Sequence, residues 1–390
     1  MRLFSLLLAL LLMAPAAHAQ TLPPQGADLT FEVATWNIEN FGTGSGGTAQ
    51  RQAAAEIIRQ ADVDLWALQE IVDRTDFDAL LQELSPDGYV GFLGPTPSLG
   101  GSQRLAYIYK ENVVSVIAIT TILSSEEFEF AYRLPLEMRA SVTVGGETES
   151  IRIINFHAKC CSDQQSYERR TDAAIALKAY TDRYVLEERP VIVLGDFNDE
   201  LNISISSGFS PYRPYRNDPD YTVATREIDR VGVPTFCGNS SCTSGSTLDH
   251  ILFSNDLGAT YLVDEDPRFE EVIAEFSNYP NTVSDHLPVI ARFTLVPVAN
   301  EAVPDAELAF SVAPNPAKAS ATVRFGLAAP TEVRLTVQDA LGRRVITEAV
   351  RLGAGEHALP VGTGDLAPGV YVVRLEADGV VATRTLVRAR

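Results

Sequence analysis

Apolar and polar positions divide the chain into a long mixed segment and a shorter all-strand segment. Residues 31–37 (FEVATWN) combine β-branched and aromatic side chains and predict a strand. From Thr48, Ala53, Ala54, Ile57 and Ile58 recur at helical spacing. A second strand is predicted over 63–69 (VDLWALQ), and Thr75 with Asp78 three residues on resembles a capping box for the next helix. Strand patterns follow near 105–110, 113–122, 139–144 and 150–156. Ser166 opens a long helix with Ala173, Ala174, Leu177, Tyr180 and Tyr184 on one face. VIVL at 191–194 reads as a short buried strand, and further strands fit 248–253 and 287–296. Strands and helices mixed in this way predict an α+β fold of sheets covered by helices. Residues 296–304 break the rhythm and read as a linker. Beyond them ATVRFGL, EVRLTVQDA and GVYVVRLEA alternate with Gly/Pro turns, which predicts a small all-β, Ig-like sandwich of about 80 residues.

The N-terminus changes the cellular picture. Met1-Arg2, a Leu-rich run to Met13 and Ala17-His18-Ala19 have the layout of a secretory signal peptide over 1–19, with Gln20 as first mature residue. No later stretch is apolar enough to span a membrane. The chain has 4 cysteines, which fit an oxidising compartment. Cys237 and Cys242 lie close in a Gly/Ser-rich loop, whereas adjacent Cys160 and Cys161 would make a strained mutual disulfide. Spacing alone leaves the pairing open.

Charge is unevenly spread. The last 90 residues carry ten acidic and ten basic side chains, so the net charge of −20 lies in the preceding segment. This balance argues against tight nonspecific binding to nucleic acid through a large basic face. Local chemistry on phosphates is not, because a metal and a few arginines supply positive charge where it is needed.

Six clusters contain the residue types of metal-assisted phosphoester cleavage. WNIEN (36–40) and LQE (68–70) both end strands, and the oxygen donors Asn37 and Glu70 suit a hard cation such as Mg2+. NFH places His157 at the end of an apolar strand. GDFN follows the buried VIVL strand; Asp196 and Asn198, two apart, point the same way and can orient a water. LDHI supplies Asp249, a candidate orienter for the histidine of SDHLPV, His286.

Taken in order, these clusters are similar to the endonuclease/exonuclease/phosphatase superfamily, which includes pancreatic deoxyribonuclease, over roughly 31–295. The resemblance implies a four-layer α-β-β-α sandwich over 30–296. It implies that Asn37 and Glu70 bind the divalent metal, with Asp285, and Glu39 in some members, as further ligands. Asp196 and Asn198 would position the attacking water and contact phosphate, and Asp249 would pair with His286. His157 matches a second catalytic histidine, and Arg139 sits where several members have a phosphate-contacting arginine. In deoxyribonuclease-type members a glutamate partners that second histidine. Here the nearest match is Gln103, an amide neighbour that puts an acid role for His157 in doubt.

Pro314-Asn315-Pro316, DALGR from Asp339 and LAPGVYVVRL from Leu366 resemble the C-terminal sorting domain of type IX secretion, over 308–390 after a linker at 297–307. A carbohydrate- or protein-binding sandwich is the alternative. Together the resemblances imply an exported or cell-surface, monomeric phosphodiesterase that uses Mg2+, with Mn2+ and Ca2+ as alternatives. Its partners would be the secretion machinery and a phosphoester substrate, foremost nucleic acid. A sphingomyelinase-like lipid phosphodiesterase, a phosphatase and an inactive binding protein are the rivals. The loop 208–221, with Phe209, Tyr212, Tyr215 and Tyr221, offers aromatic rings for stacking on bases.

Overall fold

β1 (Phe31–Phe41) shows how the layers arise. The computed structural model describes residues 22–295 apart from 44–46, 100, 188, 207 and 265, and residues 310–388 apart from 316, 328, 340–343, 365, 378 and 379. The expected signal peptide and linker lie outside the described residues. In β1, Phe31 and Val33 face one core while Ala34, Trp36 and Ile38 face another. A strand buried on both faces needs cover on both. α1 (Gly47–Ala61) covers one side with Ala54, Ile57 and Ile58, and leads into β2 (Leu65–Ile71), which pairs parallel with β1. α2 (Arg74–Leu84) adds Phe77 and Leu80 to the helical layer. Its N-cap is Asp73, whose carboxylate accepts the Asp76 amide. The expected Thr75–Asp78 box is not the cap, because Thr75 already lies inside the helix.

β3 (Tyr89–Leu93) and β4 (Arg104–Lys110) complete this edge of the first sheet. β5 (Val114–Thr121), β6 (Leu136–Val144) and β7 (Glu147–His157) run antiparallel and begin the second. α3 (Gln164–Val185), capped by Asp163, precedes β8 (Val191–Asp196), which pairs parallel with β7. The short β9 (Tyr221–Val223), β10 (Phe236–Cys237) and β11 (Gly245–Ser246) follow, then β12 (Asp249–Ser254), β13 (Tyr261–Leu262) and β14 (Val289–Phe293). The two large sheets have the orders β13-β14-β1-β2-β4-β3 and β5-β6-β7-β8-β12-β9. Their inner faces share one apolar core, in which Val33, Leu65 and Ala67 meet Met138, Ile153, Leu194 and Ile251. α3 covers the outer face of the second sheet with Ala173, Ala174 and Leu177. The layers are α-β-β-α, as expected.

Two polar devices cross these layers. Gln69 Nε2 donates to Asn155 Oδ1 at 2.8 Å, and Asn155 Nδ2 donates to Leu68 O and Ala106 O at 3.0 Å each, which ties the first sheet to β7. On α3, fully buried Arg170 pairs with Asp199 at 2.8 Å. Arg170 also donates to Lys159 O, Cys161 O and Ser206 Oγ, while Asp199 accepts Ser204 Oγ and the Ile205 amide. One ion pair therefore holds two loops, 159–161 and 204–206.

The chain parts into two compact units, Met1–Val298 and Ala299–Arg390. The second contains β15 (Phe310–Ala313), β16 (Ser320–Leu327), β17 (Thr331–Asp339), β18 (Arg344–Leu352), β19 (Gly355–Gly362), β20 (Gly369–Ala377) and β21 (Val380–Arg388). Sheets β15-β16-β19 and β18-β17-β20-β21 enclose a core of Phe310, Val323, Phe325, Leu335 and Val373. Its described residues form no helix, in keeping with the expected β-sandwich.

Two stability predictions follow from these burials. Arg170→Met strands Asp199 as an unpaired buried charge and should cost about 3 kcal/mol in urea unfolding; an unchanged midpoint would refute the clamp. Glu32, buried in β1 beside Asp64, leaves its Oε2 without a hydrogen-bond partner. Burial, reinforced by the Asp64 charge and opposed by a Thr30 hydrogen bond, pushes its carboxyl up to about 8. A group with a raised folded-state pKa stabilises fully below its unfolded value, and that contribution is lost as pH climbs through the folded value. The melting temperature should accordingly fall between about pH 5 and about pH 8, and Glu32→Gln should flatten the fall.

Candidate active site

Strand ends from both sheets meet at one edge of the sandwich. Parallel pairing puts Asn37 of β1 near Glu70 of β2, and His157 of β7 directly opposite Asp196 of β8. Asp249, the first residue of β12, is the antiparallel partner of Asp196. Asp285 and His286 lie just before β14. Gly195 makes the approach of β7 and β8 possible: it has φ +152°, and a Cβ there would lie 1.9 Å from Phe156 O. Glu39, Asn40, Glu70 and Asn198 all have positive φ, a conformation costly for such residues and found where a site overdetermines its backbone.

These residues line a cleft of about 360 Å³. Asp196 is its hub. Its Oδ1 accepts the Asn198 amide at 2.8 Å; its Oδ2 accepts Asn37 Nδ2 at 3.0 Å and Asn198 Nδ2 at 3.1 Å. His157 Nε2 is 3.3 Å from the same oxygen and 3.8 Å from Glu70 Oε1. His286 Nδ1 lies 2.7 Å from Asp249 Oδ2, which also accepts Thr235 Oγ1. Ser284 Oγ donates to Asn37 O and accepts the His286 amide, while Trp36 Nε1 and the Tyr279 hydroxyl hold His286 O. The expected Asp249–His286 pair is therefore in contact, and its Nε2 faces Asp196 and Asp285, each at 3.9 Å.

The electrostatics separate the two histidines. Burial works against charge on His286, but Asp249, Asp196 and Asp285 outweigh it and push its pKa up to about 10. Burial, aided by Arg133 and His286, holds His157 well below the usual imidazole range. His157 is thus neutral, with its Nδ1 buried and unpartnered. Burial also raises Asp196 and, together with like charges nearby, Glu39 and Asp285. Several carboxylates crowded into one cleft, with an amide oxygen beside them, fit a hard divalent cation. Ligand atoms of Asp196, Asp249 and His286 lie within 4.8 Å of one another. Asp249 and His286 are bonded to each other, and Asn37 Nδ2 likewise donates to Glu70 Oε1 at 3.3 Å; the Glu70 carboxylate and the Asn37 amide oxygen are of the type that could hold such a cation.

The rim brings corrections. Arg139 is not at the cleft: Met138, Ala140 and Val142 of β6 point into the core, so Arg139 points outward, into a separate depression with Ile117 and Arg189. Arg133 lies behind the cleft residue Gln103. It donates to Gln103 Oε1 at 2.7 Å and Ala158 O at 3.0 Å, leaves Nε unpartnered, and feels the charges of Glu70 and Asp196. No motif announced it. Gln103 lines the cleft but bonds Asn40 and Arg133; no hydrogen bond joins it to His157, so the expected amide partnership is not made. The tyrosines of loop 208–221 are core residues: Tyr212, Tyr215 and Tyr221 are buried, and only Phe209 is exposed. Cys237 and Cys242 form a disulfide, seating Phe236 5.1 Å from the His286 ring.

Comparison with known proteins agrees with this architecture. Residues 34–286 match the Endonuclease/Exonuclease/phosphatase family. Residues 311–388 match the secretion system C-terminal sorting domain, which indicates export to the cell surface or beyond. No curated protein matches the sequence. Among solved structures, an endonuclease/exonuclease/phosphatase from Beutenbergia cavernae DSM 12333 is 18% identical, with 91% of this chain and 99% of that one covered and a TM-score of 0.51. Truncated Caenorhabditis elegans TDP2 is 17% identical, covering 68% and 98%, with a TM-score of 0.47. The human Nocturnin catalytic domain with bound sulfate is 19% identical, covering 68% and 93%, with a TM-score of 0.47. With its motifs on converging strand ends and the family match spanning most of its length, the chain belongs to the endonuclease/exonuclease/phosphatase family, whose members are metal-dependent phosphoric ester hydrolases.

Proposed function

We propose that this chain is a secreted phosphodiesterase that hydrolyses extracellular nucleic acid with Mg2+. The observation that carries the reading is the charged Asp249–His286 pair facing Asp196, with Asn37 and Glu70 in the same cleft. A hard divalent cation held by Glu70 and Asn37, with Asp285 beside them, supplies positive charge to the phosphate oxygens when bound. Asp196 holds the attacking water and takes its proton. Asn198 helps fix Asp196, and charged His286 offers its Nε2–H to a phosphoryl oxygen while Asp249 holds Nδ1. Neutral His157 directs Nε2–H at Asp196 and in this arrangement is a positioning group rather than an acid. Arg133, bonded to the cleft residue Gln103 and close enough to feel the charges of Glu70 and Asp196, takes the place of Arg139 in this reading as the arginine that serves an anionic substrate.

A lipid phosphodiesterase is the second reading, favoured by exposed Ile203 and Phe209 on the loop whose Ile205 lines the cleft. Phe209 carries Arg213 4.3 Å above its ring, a pairing that also suits stacked bases. Plasmid DNA, RNA, sphingomyelin and a chromogenic bis-phosphoester, each offered with and without Mg2+, separate these readings. Hydrolysis of sphingomyelin alone would overturn the nuclease.

Chelation should abolish hydrolysis, and full activity after exhaustive chelation would sink the cation. Asp196→Ala and His286→Ala should each lower kcat by roughly a hundredfold with the fold intact by circular dichroism. Arg133→Ala should impair turnover more than Arg139→Ala; the reverse order would restore the original assignment.

The β-sandwich carries none of the proposed catalytic residues, which assigns it to export through the type IX route, after a signal peptide has brought the chain to the periplasm. A chain ending at Pro297 should keep the turnover of the longer form yet remain periplasmic in its native host. Lost activity, or normal export, would give the sandwich a different role.

A further inference from the structure

The loop after His157 ends in two cysteines that the proposed reaction leaves unused. Cys160 and Cys161 are free, exposed and line the cleft. Their Sγ atoms lie 2.9 Å apart, against about 2.05 Å in a disulfide. The Lys159 ammonium sits 3.3 Å from Cys160 Sγ. Cys161 has φ +84°, and its carbonyl is held by Arg170 at 2.7 Å. The fold thus clamps an uncommon backbone that keeps two thiols face to face at the edge of the site.

We propose that Cys160 and Cys161 form a redox-modification site: a reversible disulfide between them, made by exchange with a small disulfide such as oxidised glutathione, tunes how the cleft receives its anionic substrate. The second half of this proposal rests on the phosphodiesterase reading. In the exchange, the Cys160 thiolate attacks the oxidant, a mixed disulfide forms and one thiolate leaves. Cys161 then attacks Cys160 Sγ, the Cys160–Cys161 bond forms and the second thiolate leaves. The protein gives up two electrons, and the two released thiols take the two protons. Burial pushes the Cys160 thiol up, but hydrogen bonds from Cys161 and Lys159 outweigh it and lower its pKa, which suits it to attack first. Adjacent Cα atoms are about 3.8 Å apart, closer than the usual disulfide range of about 4.4–6.8 Å, so the ring is strained and readily reduced. Closure removes an acidic thiol from the cleft and frees the Lys159 ammonium beside it.

Full-length protein equilibrated with oxidised glutathione or with dithiothreitol, alkylated with iodoacetamide and digested with trypsin, tests the site through peptide 160–169. After oxidation the peptide should carry no alkyl group and be lighter by two hydrogens than the unmodified dithiol. The KM for the bis-phosphoester should fall about threefold on oxidation with kcat little changed, the scale of one added surface charge. Cys161→Ser should lose this redox response. Two alkylated cysteines after oxidation, or glutathione adducts without the ring, overturn the site; a ring with unchanged KM overturns its effect on substrate. If neither state hydrolyses any phosphoester, the phosphodiesterase reading falls, while the peptide masses still decide the disulfide.

Discussion

The amide bridge between Gln69 and Asn155 is the constraint on which the rest of the catalytic unit depends. The faces the two sheets turn to each other are otherwise largely apolar, and apolar contacts do not dictate register. Two buried amides do, because either one left unpaired would cost about 1–3 kcal/mol. Gln69 and Asn155 each directly precede or lie two before a residue of the site, Glu70 and His157. Tyr107 reinforces them by accepting the Asn155 amide from across the sandwich. With that seam in place, strand ends from different sheets arrive at one edge in fixed relation.

The site is then built by sorting charge. Asp249 is spent on His286 and makes it a stable cation, whereas burial, aided by Arg133, keeps His157 neutral although Asp196 lies 3.3 Å from its Nε2. Two histidines in one cleft thus acquire opposite behaviour from their neighbours alone. Asp196, between them, collects amide donors that hold its orientation without neutralising it.

Much of this was legible in the sequence. Strands such as β1, β2 and β8 and the helices α1 and α3 carry strong period or buried runs, and the Asp249–His286 pair met as expected, whereas the cysteine pairing that spacing left open proves to be Cys237–Cys242. What escaped depended on distant geometry. Arg139 looked suitable beside a strand start, but the actual strand begins at Leu136 and its two-residue period turns that side chain away. Arg133 follows Ala131 and Tyr132, both in the left-handed region, a turn that these residue types do not advertise. The tyrosines of 208–221 read as an exposed aromatic loop because packing under α3 has no local signature. The motif letters Gln69 and Asn155 were visible, yet nothing local says that they bond to each other.

The pairing of β1 with β14 has a temporal consequence. Within the first unit the strand bearing Asn37 is made first, and its neighbour, preceded by His286, is made last. A chain emerging N-terminus first therefore carries most of the cleft's carboxylates long before it carries the charged histidine. Until β14 slots in between β13 and β1, the nascent polypeptide has donors for a cation but no histidine beside Asp249. The charge pair of the cleft is thus completed only by the last strand of its unit.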